Sequence, residues 1–319
     1  MQFSKEYLKF NQELIIVLFL VIVTGTIYYS VDNQRILLHF FYLPVLLGAY
    51  FFGKNHGTYS AVLSALIVFS MAYFIPHTFS NNYAINSTLS KWTDISIWSC
   101  FLIITGYTVG TLYEKKEAFY SELNNTYKGI ITMLSLIIDS VDKYTQNHSY
   151  RVSKHSEKIA KAIGLSNTEI EDIRIAALLH DIGKIGISEE LLNKAGKLNI
   201  EERKELVSHT KKAGDLLEPI EGRVLRLLPL IVNHHERFDG KGYNTLIGDD
   251  IPIGAKIIAV ADVYDALTTD RPYRKALSPL EGREEIVRGA GTHFDPEVVK
   301  YFEQVFPKLD TEEPLLSFK

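Results

Sequence analysis

The stretch Ala176-Ala177-Leu178-Leu179-His180-Asp181 closes a segment of helical spacing with a histidine and an aspartate. A second doublet, His234-His235, follows inside the segment His-His-Glu-Arg-Phe-Asp-Gly-Lys-Gly-Tyr. Neutral imidazoles and ionised carboxylates are costly to place beside buried apolar residues unless something pairs with them, and divalent cations are suitable partners. The pattern therefore predicts a metal site, and metal-assisted hydrolysis is the activity it favours.

The chain consists of two parts that differ in charge. Its 319 residues exceed the usual size of one domain, and 46% of them are hydrophobic. Charged residues are scarce from about residue 13 to residue 113 and frequent afterwards, which places a boundary near Glu114. The formal net charge of -4 offers no basic field for a long nucleic acid, so a small charged substrate is the class that remains. The single cysteine, Cys100, excludes an internal disulfide framework, and its apolar neighbours predict a packed side chain.

The first part, residues 1–113, contains four apolar segments that each approach the length of a bilayer core. We expect them to be transmembrane helices at about residues 14–30, 36–52, 58–75 and 94–113. The alternative is a set of buried helices in a soluble domain, which would leave little solvated surface between four such segments. A cleavable signal peptide is disfavoured because Glu13 precedes the first segment and further apolar segments follow.

The basic residues that flank these segments predict their orientation. A larger set falls on one side than on the other, and basic flanks favour the cytoplasm. An even number of spans then puts both ends of the chain on that side, so we expect a multi-pass protein of the cytoplasmic (inner) membrane with a cytoplasmic catalytic domain. The larger set comprises Lys5, Lys9, Lys54, Lys115 and Lys116, and the smaller comprises Arg35 and Lys91.

A connecting helix is expected at residues 114–140, because apolar residues recur there at steps of three and four. Two interpretations stay open. The stripe could pair two copies of the chain as a parallel homodimer, or it could pack on the chain's own catalytic domain. The stripe comprises Phe119, Leu123, Tyr127, Ile130, Leu134, Ile137 and Val141.

The second part, residues 126–319, is predicted to be helical throughout, which makes the whole chain all-α. Helical spacing recurs between turn residues, and neither a dinucleotide-binding glycine pattern nor a phosphate-binding loop occurs. Two histidines outside the doublets are assigned structural positions. We expect His155 on a helix surface and His293 in a turn.

Residues 140–305 resemble the HD-GYP family, a branch of the HD-domain metal-dependent phosphohydrolases. The family's letters occur here in the family's order. They are His148 with Arg151-Val152, His180-Asp181-Ile182-Gly183-Lys184, His209, His234-His235-Glu236-Arg237, Asp239-Gly240, Gly242-Tyr243, Asp262 and Arg271-Pro272-Tyr273-Arg274.

The resemblance implies an HD-type helical domain that holds two divalent metal ions. One ion would be bound by His148, His180, Asp181 and Asp262, and the other by His209, His234, His235 and the shared Asp181. A donor set of nitrogen and oxygen suits iron or manganese best and also admits nickel, cobalt, zinc or magnesium. Two such ions lower the pKa of a bridging water, so Asp181 is expected to support an activated hydroxide. Lys184, Arg271 and Arg274 would neutralise the phosphoryl oxygens, although the two arginines could equally form internal salt bridges.

The family's substrate is cyclic di-GMP, which is opened to linear pGpG and sometimes cleaved further to GMP. Two other functions stay open: a non-catalytic receptor for the same cyclic dinucleotide, and a phosphohydrolase acting on another nucleotide such as a hybrid cyclic dinucleotide or an alarmone. The loop Arg237 to Tyr243 is expected near the pocket, where it would admit substrate or dock diguanylate cyclases.

Two positions depart from the family pattern. Asn244 replaces the proline that follows Gly242-Tyr243, which should cost the loop some rigidity. Tyr144 occupies the position at which some members carry a glutamate associated with a third metal ion, so two ions are expected.

Overall fold

The computed structural model describes residues 2–29, 34–75, 79, 87–141, 147–194, 196–220, 222–270 and 274–309. The chain divides into two compact units, residues 1–125 and residues 126–319. The described residues are helices joined by turns, and they contain no strand; an isolated bridge joins Ala290 to Phe294. The prediction of an all-helical chain is therefore confirmed for the part of the chain that is described.

Where the structure describes it, the first unit contains four α-helices and most of a fifth. Their bounds are α1 Gln2–Tyr29, α2 Gln34–Leu37, α3 Tyr42–Phe52, α4 Lys54–Phe74 and α5 Ser87–Val141, with a 3-10 turn Leu38–Phe41 between α2 and α3. Among the described residues, two helices are long and apolar enough to cross a membrane, α4 and the stretch 89–141 of α5. The segments Ile16–Tyr29 and Leu38–Phe52 are apolar but shorter. A region of four transmembrane helices goes beyond this finding and stays a prediction.

Helix α5 covers both the fourth apolar segment and the predicted connecting helix in one run of 55 residues. In the first unit it packs closely on α4, where a Cβ atom added to Gly106 would lie 2.6 Å from the carbonyl oxygen of Gly57. Cys100 on the same helix is exposed, so the prediction of a packed cysteine was wrong. The apolar residues around Cys100 cover several sides of α5. Only one of those sides lies against the interior of the first unit.

The second unit begins with the last turns of α5, and its described residues continue through nine α-helices. Their bounds are α6 His148–Ile163, α7 Asn167–Leu179, α8 Glu189–Leu192, α9 Ile200–Val207, α10 His209–Leu217, α11 Arg223–Val232, α12 Ile253–Thr268, α13 Pro279–Arg288 and α14 Pro296–Val305. Helix α12 lies at the centre of the core, and its Tyr264 is fully buried with its ring 5.3 Å from that of Phe302.

The apolar stripe of α5 divides between two environments. Tyr127 and Leu134 pack against the core of the second unit beside the buried residues Ile131 and Ile138. Other members of the stripe are exposed: Phe119, Leu123, Ile130 and Ile137. Part of the stripe therefore packs on the chain's own domain, and the exposed part is where pairing with a second copy remains a prediction.

Local sequence signals place the helix ends that carry the site. Helix α7 begins at a capping box in which Ser166 accepts from the amide of Glu169, and it ends at Leu179, directly before His180-Asp181. The following 3-10 turn, Ile182–Gly186, lies against α10 so closely that a Cβ atom on Gly183 would approach the carbonyl oxygen of His209 to 1.8 Å. Only glycine allows this approach.

Candidate metal centre

Seven acidic and histidine side chains converge from five helices or their ends. His148 and His209 are the first residues of α6 and α10, while the two doublets follow the ends of α7 and α11 and Asp262 lies within α12. They form two groups in which the possible ligand atoms all lie within 4.8 Å of one another. We call them the His148 group (His148, His180, Asp262) and the His209 group (Asp181, His209, His234, His235). All seven residues named as metal ligands from the sequence are thus brought together.

Three of the histidines are oriented in the same way. The ring Nδ1 atoms of His180, His209 and His234 lie 2.8, 2.6 and 2.5 Å from the carbonyl oxygens three residues earlier. If Nδ1 carries the proton and donates it there, Nε2 presents its lone pair. These three Nε2 atoms are buried and make no hydrogen bond. Buried nitrogen lone pairs that converge beside carboxylates are the arrangement that a divalent cation satisfies.

Asp181 lies between the two groups. Its Oδ1 is 3.6 Å from His209 Nε2, and its Oδ2 is 3.3 Å from His180 Nε2. The ammonium of Lys184 lies 2.7 Å from the same Oδ2. Burial alone would raise the pKa of this carboxyl group, but the charges of Lys184 and His180 outweigh it and hold the pKa well below the usual value. The carboxylate is therefore ionised and faces histidines of both groups.

The charge states of the other ligands also suit a cation. Burial lowers the pKa of His209 and His234, and it lowers the pKa of His235 to about 4. These rings are neutral near pH 7, which is the form that binds metals. Burial opposes ionisation of Asp262, but a hydrogen bond from His148 reverses this and lowers its pKa. Burial would also lower the pKa of His180 and His148, but the neighbouring aspartates outweigh it and raise both values, so these two rings must release a proton when a cation binds. The seven donors are nitrogen and oxygen with no thiolate among them, a set that several divalent metals accept.

Asp265 is a member of the site that the sequence did not reveal. Its Oδ2 lies 2.8 Å from Nδ1 of His148, while Nε2 of the same ring lies 3.2 Å from Asp262 Oδ1. Arg151 holds Asp265 through two nitrogens, at 2.5 Å from Oδ1 and 2.9 Å from Oδ2. Burial would lower the pKa of His148, but the two aspartates outweigh it and raise the pKa to about 10. The spacing of Asp262 and Asp265 at i and i+3 puts both on one helix face, which was the available signal.

The residues predicted to bind phosphate are only partly described. Lys184 is mostly buried and its ammonium adjoins Asp181, so it lies at the cluster. Arg274 donates from Nη2 to the carbonyl oxygen of Ala266 at the end of α12. Arg271 lies outside the described residues, as does Tyr144.

One of the two structural assignments of histidine was wrong. His155 is buried, and its ring lies 5.5 Å from that of Tyr264. It follows His148 and Val152 at helical spacing, so it shares the face of α6 that packs on α12. His293 lies in a turn, as predicted, and its ring stacks on Phe294 at 4.3 Å.

The loop after His234-His235 is tied down by Glu236, which is 3% exposed. Its carboxylate accepts from the backbone amides of Asn244 and, at 2.9 Å, Leu246. The side-chain amide of Asn244 donates to the carbonyl oxygen of Val232 at 2.8 Å, at the end of α11. Hydrogen bonds from Asn244 thus hold the loop at the position where the family has a proline ring. The loop lies beside the metal centre, because the ring of Tyr243 is 4.8 Å from that of His235.

The family model that matches the chain is described as an HD domain, and it covers residues 132–298. A 3'3'-cGAMP-specific phosphodiesterase of Vibrio cholerae is 34% identical over 61% of this chain and 37% of its own length. A probable cyclic di-GMP phosphodiesterase of the same organism is 36% identical over 57% of this chain and 45% of its own. A cyclic di-GMP phosphodiesterase of Thermotoga maritima is 35% identical over 60% of this chain and 52% of its own. The chain thus spans about half the length of these relatives or less.

Proposed function

The chain belongs to the HD domain family, and from this membership we propose that it is a metal-dependent phosphodiesterase that opens a cyclic dinucleotide. The observation that carries the proposal is the set of three buried, unbonded Nε2 atoms directed at ionised aspartates. Such a set has no purpose in a purely structural core, because each unbonded buried nitrogen lowers stability by about 1–3 kcal/mol. The HD-GYP resemblance and the names of the relatives support the same reaction class.

The reaction adds water across one phosphodiester bond of the ring and leaves a linear dinucleotide with a terminal phosphate. Two divalent cations, with iron or manganese our choice, would lower the pKa of the attacking water and draw charge from the phosphoryl oxygens. His148, His180, Asp181 and Asp262 would hold one ion, and His209, His234 and His235 with the shared Asp181 the other.

The chain's own residues contribute the following. The ionised carboxylate of Asp181 and the rings of His180 and His209 would hold the ions in place, because their second contacts to Lys184 and to carbonyl oxygens restrict the rotation of these side chains. The ammonium of Lys184 adds positive charge beside the cluster, where a phosphoryl oxygen would bind. Arg271 and Arg274 complete the proposed phosphate site.

Cyclic di-GMP is the first candidate substrate, with pGpG as product and GMP as a further product. A second candidate is 3',3'-cGAMP, because one of the matched relatives is named as specific for it. Both present the same phosphodiester chemistry to the cluster and differ in one base. Two alternatives remain: a receptor that binds the cyclic dinucleotide without cleaving it, and a phosphohydrolase that acts on another nucleotide such as an alarmone.

The rest of the proposal concerns where the enzyme acts and with which partners. We place residues 1–113 in the cytoplasmic membrane as four spans, with the catalytic domain, residues 126–319, in the cytoplasm. The connecting segment 114–140 would join them, and its exposed apolar residues, among them Phe119 and Leu123, would pair two copies as a homodimer. The loop Arg237 to Tyr243 would admit substrate or dock diguanylate cyclases.

The test uses the full chain in detergent, loaded without oxygen with iron or manganese and supplied with cyclic di-GMP or 3',3'-cGAMP. We expect a linear dinucleotide by product chromatography, and an Asp181→Asn variant should give none. Binding of either nucleotide to metal-loaded protein without any product would establish the receptor instead. Cleavage of another nucleotide alone would move the activity to a different substrate class.

A further inference from the structure

The two groups of the metal centre differ in what supports their ligands. In the His209 group, the rings of His209 and His234 rest their Nδ1 atoms on neutral carbonyl oxygens. In the His148 group, His148 rests its Nδ1 on the carboxylate of Asp265 at 2.8 Å. A carboxylate behind an imidazole makes the opposite nitrogen more basic and fixes the direction of its lone pair, more strongly than a carbonyl does.

Charge is also distributed unequally. Beside the His148 group lie Asp262 and Asp265 with one counter-charge, the guanidinium of Arg151 bonded to Asp265. The His209 group has a single carboxylate, Asp181, and the ammonium of Lys184 lies 2.7 Å from it. With every histidine in the neutral form that binds metals, the formal charge is therefore -1 in the first case, from two aspartates and one arginine, and zero in the second, from one aspartate and one lysine. A cation is attracted more strongly to the first in the low dielectric of a buried site.

We propose that the two halves of the centre bind divalent cations with unequal affinity: the His148 group fills first, and Asp265 is the positioning residue responsible. The inference rests on the proposed metal-dependent function and adds an order of filling to it. The His209 group then holds the more weakly bound ion, so activity would rise with occupancy of that second position. In a cell, the supply of metal rather than of substrate would control the enzyme at low metal concentration.

The experiment measures metal binding directly. Full-length protein in detergent is stripped of metal and titrated with Mn²⁺, and free Mn²⁺ is followed by its electron paramagnetic resonance signal. We expect two classes of one ion each, with dissociation constants that differ by at least about tenfold, since second contacts of this kind change metal affinity by about 10- to 100-fold. Two ions that bind with equal constants would overturn the proposal.

Variants show which group of ligands corresponds to which class of Mn²⁺ affinity. Asp265→Asn should raise the dissociation constant of the tight class by about 10-fold or more and leave the weak class in place. The matched control is Asp172→Asn, which removes another aspartate bonded to an arginine, Arg223 at 2.6 Å, and should change neither class. If Asp265→Asn weakens the weaker class instead, or both classes equally, Asp265 does not have the role we assign to it.

A second variant keeps the test decisive if Asp265→Asn does not fold. Lys184→Gln removes the ammonium from Asp181 and should tighten the weak class, which narrows the gap between the two constants. If the ratio of the two dissociation constants does not change, the unequal charge of the two groups does not explain their unequal affinity. Protein that binds no Mn²⁺ in any form would instead defeat the proposed function itself, so the two failures are distinguishable.

Discussion

The two units of the chain place polar and apolar side chains in opposite ways. The second unit buries ionisable groups such as His180, Asp181 and His234, whereas the first unit exposes large apolar ones such as Val21, Tyr73 and Phe101. Buried polar groups persist only where partners satisfy them, and exposed apolar surface persists only where something apolar covers it. In our proposal, divalent cations would satisfy the buried histidines and aspartates of the second unit, and a lipid bilayer would cover the exposed apolar side chains of the first.

Asp181→Ala should have the largest effect of the variants that test this contrast, because it removes the carboxylate shared by both groups of the second unit. We expect turnover to fall by more than about 100-fold, because even residues behind metal ligands are worth about 10- to 100-fold. Product chromatography at saturating metal measures it. Glu285→Ala, which breaks an exposed ion pair with Arg288, is the control and should retain activity. Full turnover by Asp181→Ala would defeat the phosphodiesterase mechanism.

Metal removal should affect the two units differently. A cation that binds only the folded second unit stabilises it by about 2.7 kcal/mol at a concentration of 100 times its dissociation constant. Chelation should therefore lower the unfolding temperature of that unit and leave the transition of the first unit unchanged, as measured by calorimetry in detergent. A shift of both transitions would show that the metal does not act on the second unit alone. A shift of neither would show that the buried histidines do not bind a stabilising metal ion.

Gly183→Ala tests the packing that sets the centre. Its Cβ would lie 1.8 Å from the carbonyl oxygen of His209, so the 3-10 turn and α10 must separate. We expect a loss of about 1–3 kcal/mol in the free energy of unfolding and weaker metal binding, since Asp181 directly precedes the turn and His209 begins α10. Gly186→Ala is the matched control in the same turn, because its Cβ would meet only the flexible side chain of Lys212 at 3.0 Å. Equal stability of the two variants would contradict this account.

The corresponding change in the first unit is Gly106→Leu, at the close contact between α4 and α5. The new side chain would strike the backbone of Gly57, so we expect a loss of about 1–3 kcal/mol confined to the first unit. Gly25→Leu on α1 has open space around it and should be tolerated. Proteolysis in detergent measures the first unit, and Mn²⁺ titration checks that the second is intact. Destabilisation by both variants alike would show that the glycine contact is unimportant.

The sequence predicted the helical class and the seven residues of the two groups because these depend on local patterns and on motif letters. It did not predict Asp265: the i, i+3 spacing from Asp262 puts it on the same helix face, but the partner that gives it a role, His148, is 117 residues away. It misplaced His155 because an amphipathic helix shows its buried face only when the packing partner is known, and here α12 covers that face. For α5, one periodic stripe contained both core residues and exposed ones, and only the fold separates Leu134 from Ile137.

The smallest effect expected concerns the loop that adjoins His235, where Asn244→Pro restores the family residue. Proline has no amide hydrogen, so the buried carboxylate of Glu236 would keep only the bond from Leu246. We expect a loss of about 1–3 kcal/mol in stability from this unpaired acceptor. The matched control, Asn244→Ala, keeps the backbone donor and loses only the bonds to Val232 and Asn233, so its loss should be about 1 kcal/mol. A proline variant as stable as the wild type would mean that ring rigidity offsets the missing donor, and the loop would then tolerate either residue.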